Sequence, residues 1–61
     1  MPLTSKEMIK LLKKHGFYLD RIKGSHYIMK NDEGKTVPVP YHNGDLKKGT
    51  EQDILKQAGL K

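Results

Sequence analysis

The 61-residue chain is predicted to be an α+β domain of order α-β-β-β-α, with two helices on one face of a three-stranded antiparallel sheet. Three observations lead there. An amphipathic stretch near each end closes at a glycine, Gly16 and Gly59. Between them the pattern changes to alternation, broken at Gly24 and again at Gly34. Pro38 and Pro40 stand two apart in the last alternating segment, which makes that segment a sheet edge. Sixty-one residues leave no room for a second core, so residues 1–61 form one domain. Without cysteine, no disulfide or thiolate metal site can staple it, and stability must come from helix and sheet packing.

Thr4-Ser5-Lys6-Glu7 reads as a capping box, with Thr4 as N-cap, Glu7 at the third helical position, and Leu3 and Met8 placed as a hydrophobic staple. At about 100° per residue, Met8, Ile9, Leu11, Leu12 and His15 share one arc, while Lys6, Glu7, Lys10, Lys13 and Lys14 fill the other. The helix should stop at His15, because Gly16 suits the left-handed C′ position and Phe17 can close on Leu12. Lys13 and Lys14 suit the negative end of its dipole.

Phe17 to Lys23 is expected to be the first strand, turning at Gly24 into a second from Ser25 to Lys30. Asn31-Asp32-Glu33-Gly34 supplies the next turn, and Lys35 to Pro40 the third strand. The short connections predict a meander with the second strand in the centre. Residues two apart present their N–H positions to the same side, and proline has no N–H, so the outer flank of the third strand is blocked. A partner strand would therefore add to the exposed side of the first strand. After a loop from Tyr41 to Asp45, a second helix is expected around Lys47 to Ala58, with Thr50 and Asp53 as a cap signal that starts the regular part at Thr50. Ile54, Leu55 and Ala58 form its apolar face, and Gly59 with Leu60 repeats the first helix's stop.

Twelve Lys and Arg against seven Asp and Glu give a net charge of +5, which favours nucleic acid or an acidic protein as partner. The apolar runs are far too short for a spanning helix, which needs about 20 residues. A Met1 start that leads directly into a helix signal, with no apolar leader and no cysteine, predicts a cytoplasmic location.

Histidine exchanges protons near neutral pH with little environmental help, so the three histidines are the candidates for chemistry. His15, on the apolar arc at a helix end, reads as a half-buried residue suited to the dipole. His42 reads as a solvated loop residue, though its Tyr-His-Asn-Gly loop can fold back towards a ligand. His26 follows the turn glycine Gly24 and the small Ser25, which leave the backbone accessible, and it starts the strand expected to be most rigid. Ser25 and His26 point to opposite faces, which argues against a nucleophile–base pair. Lys23 and Lys30 bracket the His26 strand, and Lys47 and Lys48 follow the His42 loop; these four can gather phosphates. The lysines of the first helix read as a solvated face. Tyr18, Tyr27 and Tyr41 offer stacking surfaces for unpaired bases, or rim packing for the sheet. No histidine pair has the helical spacing of a zinc site, no carboxylate cluster accompanies one, and no phosphate-binding glycine loop is present, so neither metal nor cofactor is expected.

An ordered set of segments resembles the HicA-type mRNA interferase toxins of bacterial type II toxin–antitoxin systems. The segments are Leu11-Leu12 through Gly16-Phe17, Lys23-Gly24-Ser25-His26, Val37-Pro38-Val39-Pro40, Gly44 through Thr50, and Ile54 through Leu60. The resemblance implies a double-stranded-RNA-binding-domain-like fold, endoribonuclease activity on mRNA, and neutralisation by a HicB-type antitoxin. It places the family's catalytic histidine on His26; where many relatives carry a second histidine, this chain has Tyr27. On this reading Lys23, Gly24, Ser25, Lys30, Lys47 and Lys48 contact RNA, and His26 cleaves it without a metal. The alternatives are a non-catalytic RNA-binding module of the same fold, and a protein whose basic surface docks an acidic partner.

Overall fold

A computed structural model describes residues 3–61, so the expectation drawn from Met1 lies outside the described residues. Its order is α1 (Ser5–Lys14), β1 (Tyr18–Lys23), β2 (His26–Lys30), β3 (Thr36–Pro40) and α2 (Lys48–Gln57). The sheet runs β1-β2-β3, antiparallel throughout, with β2 in the centre and the proline-bearing β3 at one edge, as expected.

α1 begins as its sequence requires. The Thr4 hydroxyl accepts the Glu7 N–H at 3.1 Å, and the Glu7 carboxylate accepts the Thr4 N–H at 3.0 Å, completing the capping box. At the other end the Phe17 N–H donates to the Leu12 carbonyl and the Gly16 N–H to that of Lys13, with Gly16 at φ 89°. This is the two-bond stop that a residue of positive φ permits. α2 ends the same way, through Leu60 to Leu55 and Gly59 to Lys56. Its start differs from expectation. The N-cap is Lys47, which makes no side-chain cap hydrogen bond, and Thr50 lies inside the helix. The first turn is instead tied down by Glu51, whose carboxylate accepts the Leu3 N–H at 2.6 Å.

Both helices cover one face of the sheet, and the core lies between the layers. Met8, Ile9 and Leu12 of α1 form one cluster with Met29, Val37 and Val39 of the sheet, Ile54 of α2 and its C-cap Ala58, with Phe17 and Leu46 completing it. Burial of each such side chain contributes about 1.5–3 kcal/mol, which has to carry a domain with no covalent staple. The strands are shorter than predicted at their N-terminal ends. Phe17 is buried as part of the helix stop, Ser25 belongs to the turn, and Lys35 closes the preceding turn onto Asn31. The Asn31 side-chain oxygen holds that turn by accepting the Glu33 and Lys35 N–H groups at 3.1 and 2.9 Å. His15 is exposed rather than half-buried, because the chain turns away at Gly16 before the sheet can reach it. No helix among the described residues is long and apolar enough to cross a membrane.

Candidate functional site

The β1–β2 connection is a two-residue hairpin loop, Gly24-Ser25, between the paired residues Lys23 and His26. Gly24 sits at φ 58° and, among the described residues, no non-glycine has positive φ, so Ser25 does not either, which is the φ pattern of a type II′ turn with glycine first. The far side of the turn is secured as well, because the Tyr41 N–H donates to the Ser25 carbonyl at 2.7 Å. His26 thus begins the central strand with Lys23 beside it on β1 and Pro40 beside it on β3.

Side chains two apart in a strand share a face, as do cross-strand partners. Tyr27 and Met29 pack against the helix-covered core. His26, Ile28 and Lys30 therefore project from the opposite face, which carries no helix. Their partners on β1 are Lys23, Arg21 and Tyr18, and on β3 Pro40, Pro38 and Thr36. Ile28 is buried yet stands apart from the helix-covered cluster, flanked by Arg21 and Pro38 in the same row. The open face is thus a shallow platform on which an exposed imidazole has Lys23 in register beside it, with Arg21 and then Lys30 further along the same face. Such an arrangement attracts phosphates and leaves a proton-exchanging group among them.

The sequence-predicted residues divide into those the sheet aligns and those it does not. Lys23, Gly24, Ser25 and Lys30 lie on the His26 hairpin, Lys23 in direct register and Lys30 at the other end of β2 on the same face. Lys47 and Lys48 stand at the start of α2, in the helical layer and outside this ladder. Tyr27 and Tyr41 stack on each other, with centroids 4.4 Å apart and planes 18° from parallel, so one face of each ring is engaged; Tyr18 remains exposed beside Lys30. His42 is exposed in the loop after β3, its Nδ1 2.9 Å from the Asn43 carbonyl.

Sequence reasoning missed Ser5, which is wholly buried and joins α1 to this end of the sheet. Its hydroxyl donates to the Pro40 carbonyl at 2.7 Å and accepts the His42 N–H at 3.3 Å, holding both the strand residue opposite His26 and the loop that follows. It also missed Arg21. Arg21 shares the open face with Lys23, two residues on, and pairs with Ile28, while the β-bulge between Leu19 and Arg21 shifts the register so that Tyr18 joins that face and Leu19 turns to the core side.

The family model described as HicA toxin of bacterial toxin-antitoxin matches residues 5–60, and the chain belongs to that toxin family. A solved structure described as a toxin–antitoxin complex from Streptococcus pneumoniae contains a chain 45% identical, superposing with a TM-score of 0.84 over 97% of this chain and 100% of that one. No curated protein matches.

Proposed function

We propose that this toxin is an endoribonuclease that cuts mRNA by metal-independent acid–base chemistry with His26 as its catalytic residue. The observation that carries the reading is the exposed imidazole at the start of the central strand, with Lys23 in register beside it and Lys30 on the same face, in a chain of the HicA toxin family. The neutral imidazole takes the proton of a ribose 2′-hydroxyl. That oxygen attacks the adjacent phosphorus, the bond to the 5′-oxygen breaks, and a second acid or water protonates the leaving oxygen. Lys23 stabilises the charge that builds on the phosphorane oxygens, and Lys30, further along the same face, holds a neighbouring phosphate. Gly24 and Ser25 let the RNA backbone approach, while Lys47 and Lys48 hold more distant phosphates.

General base catalysis of this kind contributes about 10²- to 10⁴-fold, so His26→Ala should lose that factor in cleavage rate. Since His26 is exposed, the variant should keep its stability within about 0.5 kcal/mol. A 2′-deoxy substitution at the cut site should abolish cleavage, and products should end in 2′,3′-cyclic phosphate. Cutting of the deoxy-substituted strand, or a strict need for a divalent metal, overturns the mechanism. RNA binding without cleavage by the wild type reduces the chain to a binding module.

A cytoplasmic nuclease must be restrained. The partner we propose is a HicB-type antitoxin, in keeping with the toxin–antitoxin complex that contains the related S. pneumoniae chain. Its task is to cover His26 and the flanking lysines, and a complex that leaves His26 open to RNA would contradict simple occlusion.

A further inference from the structure

The two edges of the sheet are unlike. β3 carries Pro38 and Pro40. β1 has no proline and all six of its residues are exposed; among the described residues it pairs with β2 alone, so one flank of its backbone N–H and C=O groups has no partner strand there. The same strand leaves apolar surface wet. Leu19 and Ile22 lie on the helix-covered side, as partners of Met29 and Tyr27, yet they reach beyond the helices and remain 39% and 54% exposed. Tyr41, stacked on Tyr27, extends this strip and is 38% exposed. On the other side of β1 stand Arg21 and Lys23.

We propose that the β1 edge receives an extended segment of the antitoxin as a fourth strand, with apolar side chains against Leu19 and Ile22 and acidic ones against Arg21 and Lys23. The inference rests on the antitoxin partnership proposed above. Backbone hydrogen bonds supply affinity in such strand addition, and the alternating side chains supply selectivity. Charge selects the occupant. β1 holds Arg21 and Lys23 against Asp20 alone, and Asp20 lies 3.6 Å from Arg21 in an exposed ion pair worth about 0–1 kcal/mol. A second copy would set these cations against their own kind in a chain of net charge +5, whereas an acidic segment neutralises them. RNA has no peptide backbone to continue the ladder. The bulge at Asp20 bends the edge, which discourages indiscriminate pairing and favours a segment that pairs from Arg21 onwards.

A strand added here lies about 4.8 Å from β1 and roughly 10 Å from β2, so it does not itself cover His26. Holding the toxin and blocking its chemistry thus fall to separate parts of the antitoxin.

The test uses the antitoxin encoded with this chain, purified, and three readouts: affinity by calorimetry, amide hydrogen exchange across β1, and RNA cleavage by the free toxin. Complex formation should protect β1 amides. Ile22→Asp should weaken binding at least tenfold while the free variant cuts RNA at the wild-type rate. Should that variant fail to fold, Ile22→Ala and the wild-type exchange measurement decide. Unchanged affinity in the folded variant, β1 amides that exchange equally in both states, an antitoxin that does not bind, or β1 protection in the toxin alone through self-association each overturns the proposal. If β1 is protected but the free toxin cuts no RNA, the docking surface stands and the nuclease reading falls.

Discussion

Replacing Ser5 with alanine removes one hydroxyl that serves two backbone groups from distant parts of the chain. Its bond to the Pro40 carbonyl is short, 2.7 Å, and Ser5 itself is fully buried. Its bond from the His42 N–H is longer, 3.3 Å, and His42 is exposed, so water can replace it. Only the first loss is therefore expensive. A buried acceptor left unmet costs about 1–3 kcal/mol, and the lower part of that range applies because Pro40 is only half-buried. Alanine's better helix propensity returns no more than about 0.5 kcal/mol. The net loss is about 1 kcal/mol, which for a domain of this size lowers Tm by roughly 4–8 °C. Thermal unfolding followed by far-ultraviolet circular dichroism measures it, and hydrogen exchange at His42 should quicken in the same variant. A Tm equal to or above that of the wild type would refute the claim that this hydroxyl ties α1 to the end of β3.

Gly24→Ala should lower stability by about 1 kcal/mol in urea titrations through backbone strain alone, because a Cβ there meets no atom within 4 Å while φ is 58°. The Glu7 carboxyl is held below its usual value of 4.5, chiefly because it accepts the Thr4 N–H and next through the Thr4 hydroxyl. A carboxyl lowered in the folded state stabilises fully above its unfolded value and loses that contribution as pH falls through the folded one. The stability gap between wild type and Glu7→Gln should therefore be widest near neutrality and narrow in acid; a gap constant with pH would show that the capping carboxylate is not the titrating group.

What the sequence makes legible is chiefly what neighbours in the chain decide. The capping box at Thr4 and the stops at Gly16 and Gly59 depend on residues within one or two helical turns. The edge position of β3 follows from two prolines by backbone chemistry alone, and it places His26 on the central strand. What escaped depends on distant partners. Ser5 looks like an ordinary first-turn serine until Pro40 arrives beside it, and Leu46 is a lone apolar residue after a polar loop, yet it is almost wholly buried in the core. The Asp20 bulge, which turns Leu19 to the core side and Tyr18 to the open face, has no signal in a strand of mixed polarity. The cap expected at Thr50 failed because tertiary contacts from Leu3 to Glu51 begin α2 earlier than its own side chains suggest.

Besides the local capping box at Thr4, residues 3–5 are held by groups much later in the chain. Leu3 donates to Glu51 and accepts from the Leu46 N–H, Thr4 bridges to Asp45, and Ser5 binds Pro40 and His42. On the ribosome, the segment made early must wait for partners made late, and the core is open until Ile54 and Ala58 emerge to meet α1. This domain should therefore acquire its fold in one cooperative step once Ile54 and Ala58 have emerged. A chain halted before Glu51 would present α1 and an uncovered sheet, with neither the closed core nor the tethered loop. Shortened products of this gene are thus expected to be cleared by proteases rather than to persist as smaller working toxins.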